Sequence, residues 1–249
     1  MPKRKKLLTL IHVPKMSKKG QTKKPRQKKG PPEPLSKPPV PIDQVMAYFA
    51  KYYAKAQNDL KYENVFQLLM ATILVAQCTD QRVNAVTKVL FKRFPSAFLL
   101  AEAEIGQIEE CIKSISFHRH KAQYISKTAW DVAMRYDGIV PRELMTLLTL
   151  PGVGRKSAMM VICDGYEIPG IIVDSHVGRV SRRMGLSISQ EPEGLEEDLM
   201  KLVPKKDWTS FSHQARHHGR FLCKARKPLC RVCGLLNCPS REILLVKKK

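Results

Sequence analysis

The segment Leu150-Pro151-Gly152-Val153-Gly154-Arg155-Lys156-Ser157-Ala158 lies between two helical stretches and places two glycines around one apolar residue. Glycine lets the backbone turn sharply between helices and leaves amide N–H groups bare at the start of the second one, where an anion can be held. A tight helix–helix turn that binds nothing is the simpler alternative. The segment is not a P-loop: too few residues separate the glycines, and Lys156-Ser157 follows a helical stretch where a phosphate cradle would follow a strand.

The chain's charge indicates which anion to expect. Its 249 residues carry 44 Lys and Arg against 22 Asp and Glu, a formal balance of +22, which implies a polyanionic partner such as nucleic acid or an acidic membrane surface. Residues 1–41 hold thirteen of those cations, one acid (Glu33) and nine of the 17 prolines. Such a composition buries too little apolar area to offset ordering, so 1–41 is expected to be a disordered basic tail that touches phosphates loosely or only solubilises the chain. Met16-Ser17-Lys18-Lys19 offers a second possible start. The remaining +10 makes the folded part basic in its own right.

Beyond Pro41 the periodicity is helical, with little of the alternation that strands need. A helix is predicted over Ile42–Gln57. Val65, Leu68, Leu69, Thr72, Ile73 and Ala76 mark a buried helix that stops near Gln77-Cys78-Thr79. Asp80 is predicted to cap the next helix, which ends at Pro95. Further helices are read around Ile105–Ile115 and Ala122–Ala133, and a short one over Arg142–Leu148 after Pro141. The longest apolar run, Phe66–Ala76, is shorter than the ~20 residues that span a bilayer, so no transmembrane segment is expected. A secretory signal is not expected either, because no small-residue cleavage site follows the short apolar run Leu7–Val13.

LPGVGRKSA, followed eighteen positions after its lysine by the aspartate of VDSHVGRV, resembles the helix-hairpin-helix DNA glycosylase and AP lyase family, most closely its endonuclease III branch. The resemblance runs from about Ile42 to Pro239 and includes LLMATILVAQCTDQRVN and HGRFLCKARKPLC. It implies an all-α, two-lobed fold: a six-helix barrel over 58–168 carrying the hairpin, and a [4Fe-4S] cluster domain joining 42–57 to 169–249. It also implies a bifunctional enzyme that excises oxidised pyrimidines from double-stranded DNA and cuts the abasic strand, as a monomer with no membrane partner.

Lys156, near the start of the second hairpin helix, feels the positive end of the helix dipole and the neighbouring Arg155, both of which disfavour its ammonium form. A free amine there is a nucleophile toward a sugar C1′, and the resemblance assigns Lys156 that role, followed by a Schiff base and β-elimination. A surface lysine touching phosphate is the alternative. Asp174 follows Ile171-Ile172-Val173 and reads as a helix N-cap. The same carboxylate, if it faces Lys156, can stabilise an oxocarbenium ion and relay protons, the role the resemblance gives it. His176 reads as structural. Leu150, Gly152, Val153, Gly154 and Arg155 are the hairpin's expected DNA contacts.

Cys223, Cys230, Cys233 and Cys238 are spaced C-x6-C-x2-C-x4-C, which predicts a tetrathiolate site for zinc or a [4Fe-4S] cluster. The branch's own spacing ends in x5, one residue longer, and favours the cluster as a structural staple. Cys78, Cys111 and Cys163 read as core residues. An enzyme acting on a base inside a duplex must extrude it and fill the hole. Gln77 matches the family's void-filling glutamine, with a helix-terminal polar residue as the alternative. Phe117 matches its stack-opening wedge, where the branch has leucine.

Other readings remain open: an adenine or 8-oxoguanine glycosylase of the same fold, or a non-catalytic DNA-binding protein with an iron–sulfur or zinc staple. The GRKSA hairpin places the protein in a bacterial cytoplasm, whereas Pro2-Lys3-Arg4-Lys5-Lys6 would serve as a nuclear-import signal in a eukaryote.

Overall fold

The computed structural model describes residues 38–246, and all regular structure among them is helical. The tail predicted over 1–41 lies almost wholly outside the described residues. The helices are α1 (Ile42–Tyr53), α2 (Val65–Leu74), α3 (Asp80–Arg93), α4 (Ala97–Ala101), α5 (Ile105–Ile112), α6 (His118–Arg135), α7 (Leu144–Leu148), α8 (Arg155–Met160), α9 (Ser175–Met184), α10 (Pro192–Leu202), α11 (Trp208–Phe221) and α12 (Arg241–Val246). A π-helical turn, Val161–Gly165, continues α8. None of these helices is long and apolar enough to cross a membrane.

Polar side chains set the starts of the site-bearing helices. Asn64 caps α2 by accepting from the Gln67 N–H, and Gln67 reaches back to the Glu63 N–H. Thr79, not Asp80, caps α3, accepting from the Arg82 N–H. Two adjacent capping types compete there, and Thr79 takes the cap because the Asp80 carboxylate is drawn to arginines of α11. The helix predicted from Arg142 starts at Leu144, and Val140 and Pro141 before it are buried outside any helix.

Two apolar cores organise the described residues. The first is built by α2–α8 and the π-helical turn, and the second by α1, α9, α10, α11 and Leu235. The first core is not the predicted six-helix barrel. Every residue of α2 from Phe66 to Leu74 is buried, and α2 packs against α3, α6, α8 and the π-helical turn. A helix enclosed on all sides is the centre of a bundle and not a stave in a barrel wall. Truncating any of its fully buried leucines should cost about 2–5 kcal/mol. Ile171 belongs to the second core and Ile172 to the first, so the non-helical link Gly170–Val173 runs along the seam between them. Asp174, the next residue, is therefore delivered to that seam.

Candidate active site

The hairpin is anchored by its apolar residues and opened by its glycines. Leu150 and Val153 are buried, while Gly152 and Gly154 are exposed. The Val153 N–H bonds the Leu150 carbonyl, and Thr128 Oγ1 of α6 donates to the Pro151 carbonyl. Gly152 has φ +78°, and a Cβ there would lie 2.9 Å from the Tyr124 ring, so both backbone and space require glycine. Gly154 has open space around it, so its absent side chain keeps the entrance to α8 bare. Ser157 Oγ donates to the Thr72 carbonyl and ties α8 to α2.

Lys156, Asp174, Met160, Ile172, Val177, Ser212, His213 and Arg216 line one narrow cavity at the seam. Lys156 is held below the ordinary lysine range chiefly by burial and secondarily by the Arg216 cation, while Asp174 and Asp80 oppose the shift. The direction agrees with the sequence reading, but the neighbouring cation does not. Arg155 is paired with Glu196 at 2.9 Å and Glu193 at 3.8 Å, and the charge acting on Lys156 comes from α11.

Asp174 is the N-cap of α9, its Oδ1 accepting from the His176 and Val177 N–H groups at 2.8 Å each. That leaves Oδ2 toward Arg216, whose Nε stands 4.0 Å away. His176 is tied by its Nδ1 to Arg179 at 3.1 Å, and burial lowers its basicity.

Several cavity and seam residues were not anticipated. Arg216 bonds Asp59 at 3.1 Å and Asp80 at 3.0 Å, and Arg220 bonds the same two carboxylates at 2.8 and 2.9 Å. His213 Nε2 lies 2.7 Å from Asp164 Oδ1, a buried pair whose other carboxylate oxygen accepts from Asn58. The available signal was the i, i+3, i+7 spacing of His213, Arg216 and Arg220, which puts three basic groups on one face of α11.

Gln77 and Phe117 lie elsewhere on the surface, in two loops rather than in the cavity. Gln77 follows α2 at φ +57° and is exposed. Phe117 precedes α6 at φ +59° and is 61% exposed. Left-handed backbone costs a non-glycine residue about 1–3 kcal/mol and is often found at functional positions.

The cysteine expectation is corrected. Cys223, Cys230, Cys233 and Cys238 are free thiols bordering one apolar cavity with Met184 and Leu235. Among the described residues, however, no group of three or more Cys, His, Asp or Glu is placed to hold a metal ion. A metal needs thiolates. Here burial pushes Cys230 and Cys233 up and Cys238 up to about 11, favouring protonated thiols. The placement of the four residues therefore does not fit a [4Fe-4S] cluster or zinc, and the expectation of an iron–sulfur domain falls with it. Sequence spacing overstated the case because it counts ligands without showing that their sulfurs are placed around one ion. Cys163 is buried in the first core, and Cys78 and Cys111 pack against it.

The fold and seam define a class of protein. The family described as "HhH-GPD superfamily base excision DNA repair protein" matches residues 70–205, and the chain belongs to it, within the endonuclease III family. It is similar to endonuclease III of Synechocystis sp., 46% identical over 201 residues that cover 80% of this chain and 92% of the relative. It is also similar to endonuclease III of Bacillus subtilis, 40% identical over 188 residues, 74% of this chain and 85% of the relative. Among solved structures, a trapped endonuclease III–DNA covalent intermediate superposes with a TM-score of 0.76 at 37% identity, covering 81% of this chain and 97% of the other.

Proposed function

We propose that the chain is a bifunctional DNA glycosylase and AP lyase that removes oxidised pyrimidines such as thymine glycol from duplex DNA, acting as a monomer in a bacterial cytoplasm. The observation that carries this reading is the shared cavity of Lys156 and Asp174 at the seam, where burial lowers the pKa of the lysine amine. Residues 58–168 form one lobe in this account, and 42–57 with 169–249 the other.

Lys156 Nζ attacks C1′ of the extruded nucleotide as the bond to the base breaks, and the base leaves with the glycosidic electron pair. Asp174 Oδ2 stabilises the positive charge that builds on the sugar and accepts the ammonium proton, while Oδ1 stays on its two backbone donors. The C1′–O4′ bond then breaks, O4′ taking up a proton as the nitrogen lone pair forms the C1′ imine; loss of a C2′ proton expels the 3′ phosphate by β-elimination, and water hydrolyses the imine and frees the lysine. Leu150 and Val153 hold the hairpin so that Gly152, Gly154 and Arg155 face the DNA backbone. Gln77 enters the vacated position in the stack, and Phe117 opens it from the other loop.

The test uses a duplex carrying a single thymine glycol. Wild type should release the base and nick the strand, and Lys156→Ala should do neither while still binding. Base release without nicking by wild type would remove the lyase half of the proposal, and no release from this lesion would remove the oxidised-pyrimidine half.

A further inference from the structure

Lys121 is only 5% exposed, yet among the described residues its ammonium is bonded to main-chain carbonyls and not to an acid. Its Nζ donates to the carbonyls of Leu74 at 2.8 Å and Ala76 at 2.6 Å, and lies 3.3 Å from Cys78 Sγ. All three groups belong to the end of α2 and the loop that carries Gln77. The last carbonyls of a helix have no partner within the helix, and a cation there satisfies them and complements the dipole. At the same time the Lys121 backbone N–H bonds the Phe117 carbonyl at 3.0 Å, closing the first turn of α6.

One residue therefore holds both loops. Its side chain fixes the carbonyl immediately before Gln77, and its main chain fixes Phe117. Both loop residues sit in left-handed backbone, which persists only where the surroundings enforce it. Burying a cation is costly unless its hydrogen bonds are made, and an ordinary core position would be filled more cheaply by methionine or leucine. We infer that Lys121 is a positioning residue that locks Gln77 and Phe117 into a preformed pair for entering the DNA stack. This rests on the duplex-opening roles proposed above for Gln77 and Phe117.

The experiment measures single-turnover base release from a thymine glycol duplex for wild type, Lys121→Met, Lys121→Arg, Gln77→Ala and the double variant Lys121→Met/Gln77→Ala. Strand cleavage at an abasic site in a single-stranded oligonucleotide is measured alongside, because it needs no duplex opening. Lys121→Met should slow duplex release about tenfold relative to single-strand cleavage, with most of the loss in the single-turnover rate at saturating enzyme. The double variant should be no slower than Gln77→Ala alone, since coupled residues do not add. Lys121→Arg, which can still donate to both carbonyls, should recover most of the rate.

Equal slowing on both substrates, or fully additive losses in the double variant, would overturn the inference. If Lys121→Met fails to fold, Lys121→Gln replaces it in the same cycle, since its amide can keep one carbonyl bond. If Gln77→Ala leaves duplex release unchanged, the void-filling role of Gln77 falls and takes the inference with it. A wild-type rate of zero on the lesion would instead strike the proposed activity.

Discussion

Arg216 holds Asp80 at 3.0 Å through Nη2 while its Nε stands 4.0 Å from Asp174 Oδ2. One guanidinium on α11 thus ties the start of α3 to the start of α9 and adds its charge to the cavity that contains Lys156. The acids around it neutralise the arginine, and burial does most of the work on the lysine.

Arg216→Met should move the pH dependence of the lysine chemistry. Arg216 lowers the Lys156 pKa, and Asp80 and Asp174 raise it. Removing the arginine leaves those carboxylates unopposed, so both consequences push the lysine up. The amine is active when unprotonated, so the rate of covalent trapping rises with pH through the Lys156 midpoint, and that midpoint should move to higher pH in the variant. Breaking so buried a set of pairs should also cost about 3 kcal/mol of stability, checked by urea unfolding.

Arg155→Met should leave that midpoint in place. Its guanidinium serves Glu196 and Glu193, so its loss should appear in the melting temperature and in DNA affinity. A pH profile shifted as far as that of Arg216→Met would restore the cation assignment made from sequence.

Asp174 has two jobs that separate by substitution. Asparagine is as good an N-cap as aspartate, so Asp174→Asn should keep the stability of α9 while losing the charge. Asp174→Ala should lose both, at about 1 kcal/mol in stability. Base release slowed by at least ~100-fold in both variants, with only the alanine destabilised, would identify the carboxylate as catalytic.

The two hairpin glycines should behave differently. Gly152→Ala meets a left-handed φ and a 2.9 Å clash with Tyr124, and should destabilise the protein by about 2 kcal/mol and weaken DNA binding. Gly154→Ala meets nothing within 4 Å, and its stability should change by about 0.5 kcal/mol or less. Thermal unfolding and a binding titration on the same samples check both.

The sequence showed what lies close along the chain. The period of Val65–Ala76 located α2, and an aspartate before Ser175-His176-Val177 located the start of α9. It was less reliable where two local options competed, as at Thr79 and Asp80. It could not show that Asp59 meets Arg216, 157 positions away, or that Asp164 meets His213, because those contacts exist only once two cores have packed. The α6 start at His118, ahead of the predicted apolar pattern, depends on a left-handed Phe117 that no periodicity encodes. The cysteine spacing erred the other way: the four thiols border one cavity, but not in the placement a metal ion needs.

The most direct test of the account is borohydride reduction of the protein on a thymine glycol duplex, followed by peptide mapping of the covalent adduct. The account predicts one modified peptide, with the reduced sugar attached to Lys156, and no adduct from Lys156→Ala. An adduct mapped to another amine, or trapping that persists undiminished in Lys156→Ala, would contradict it.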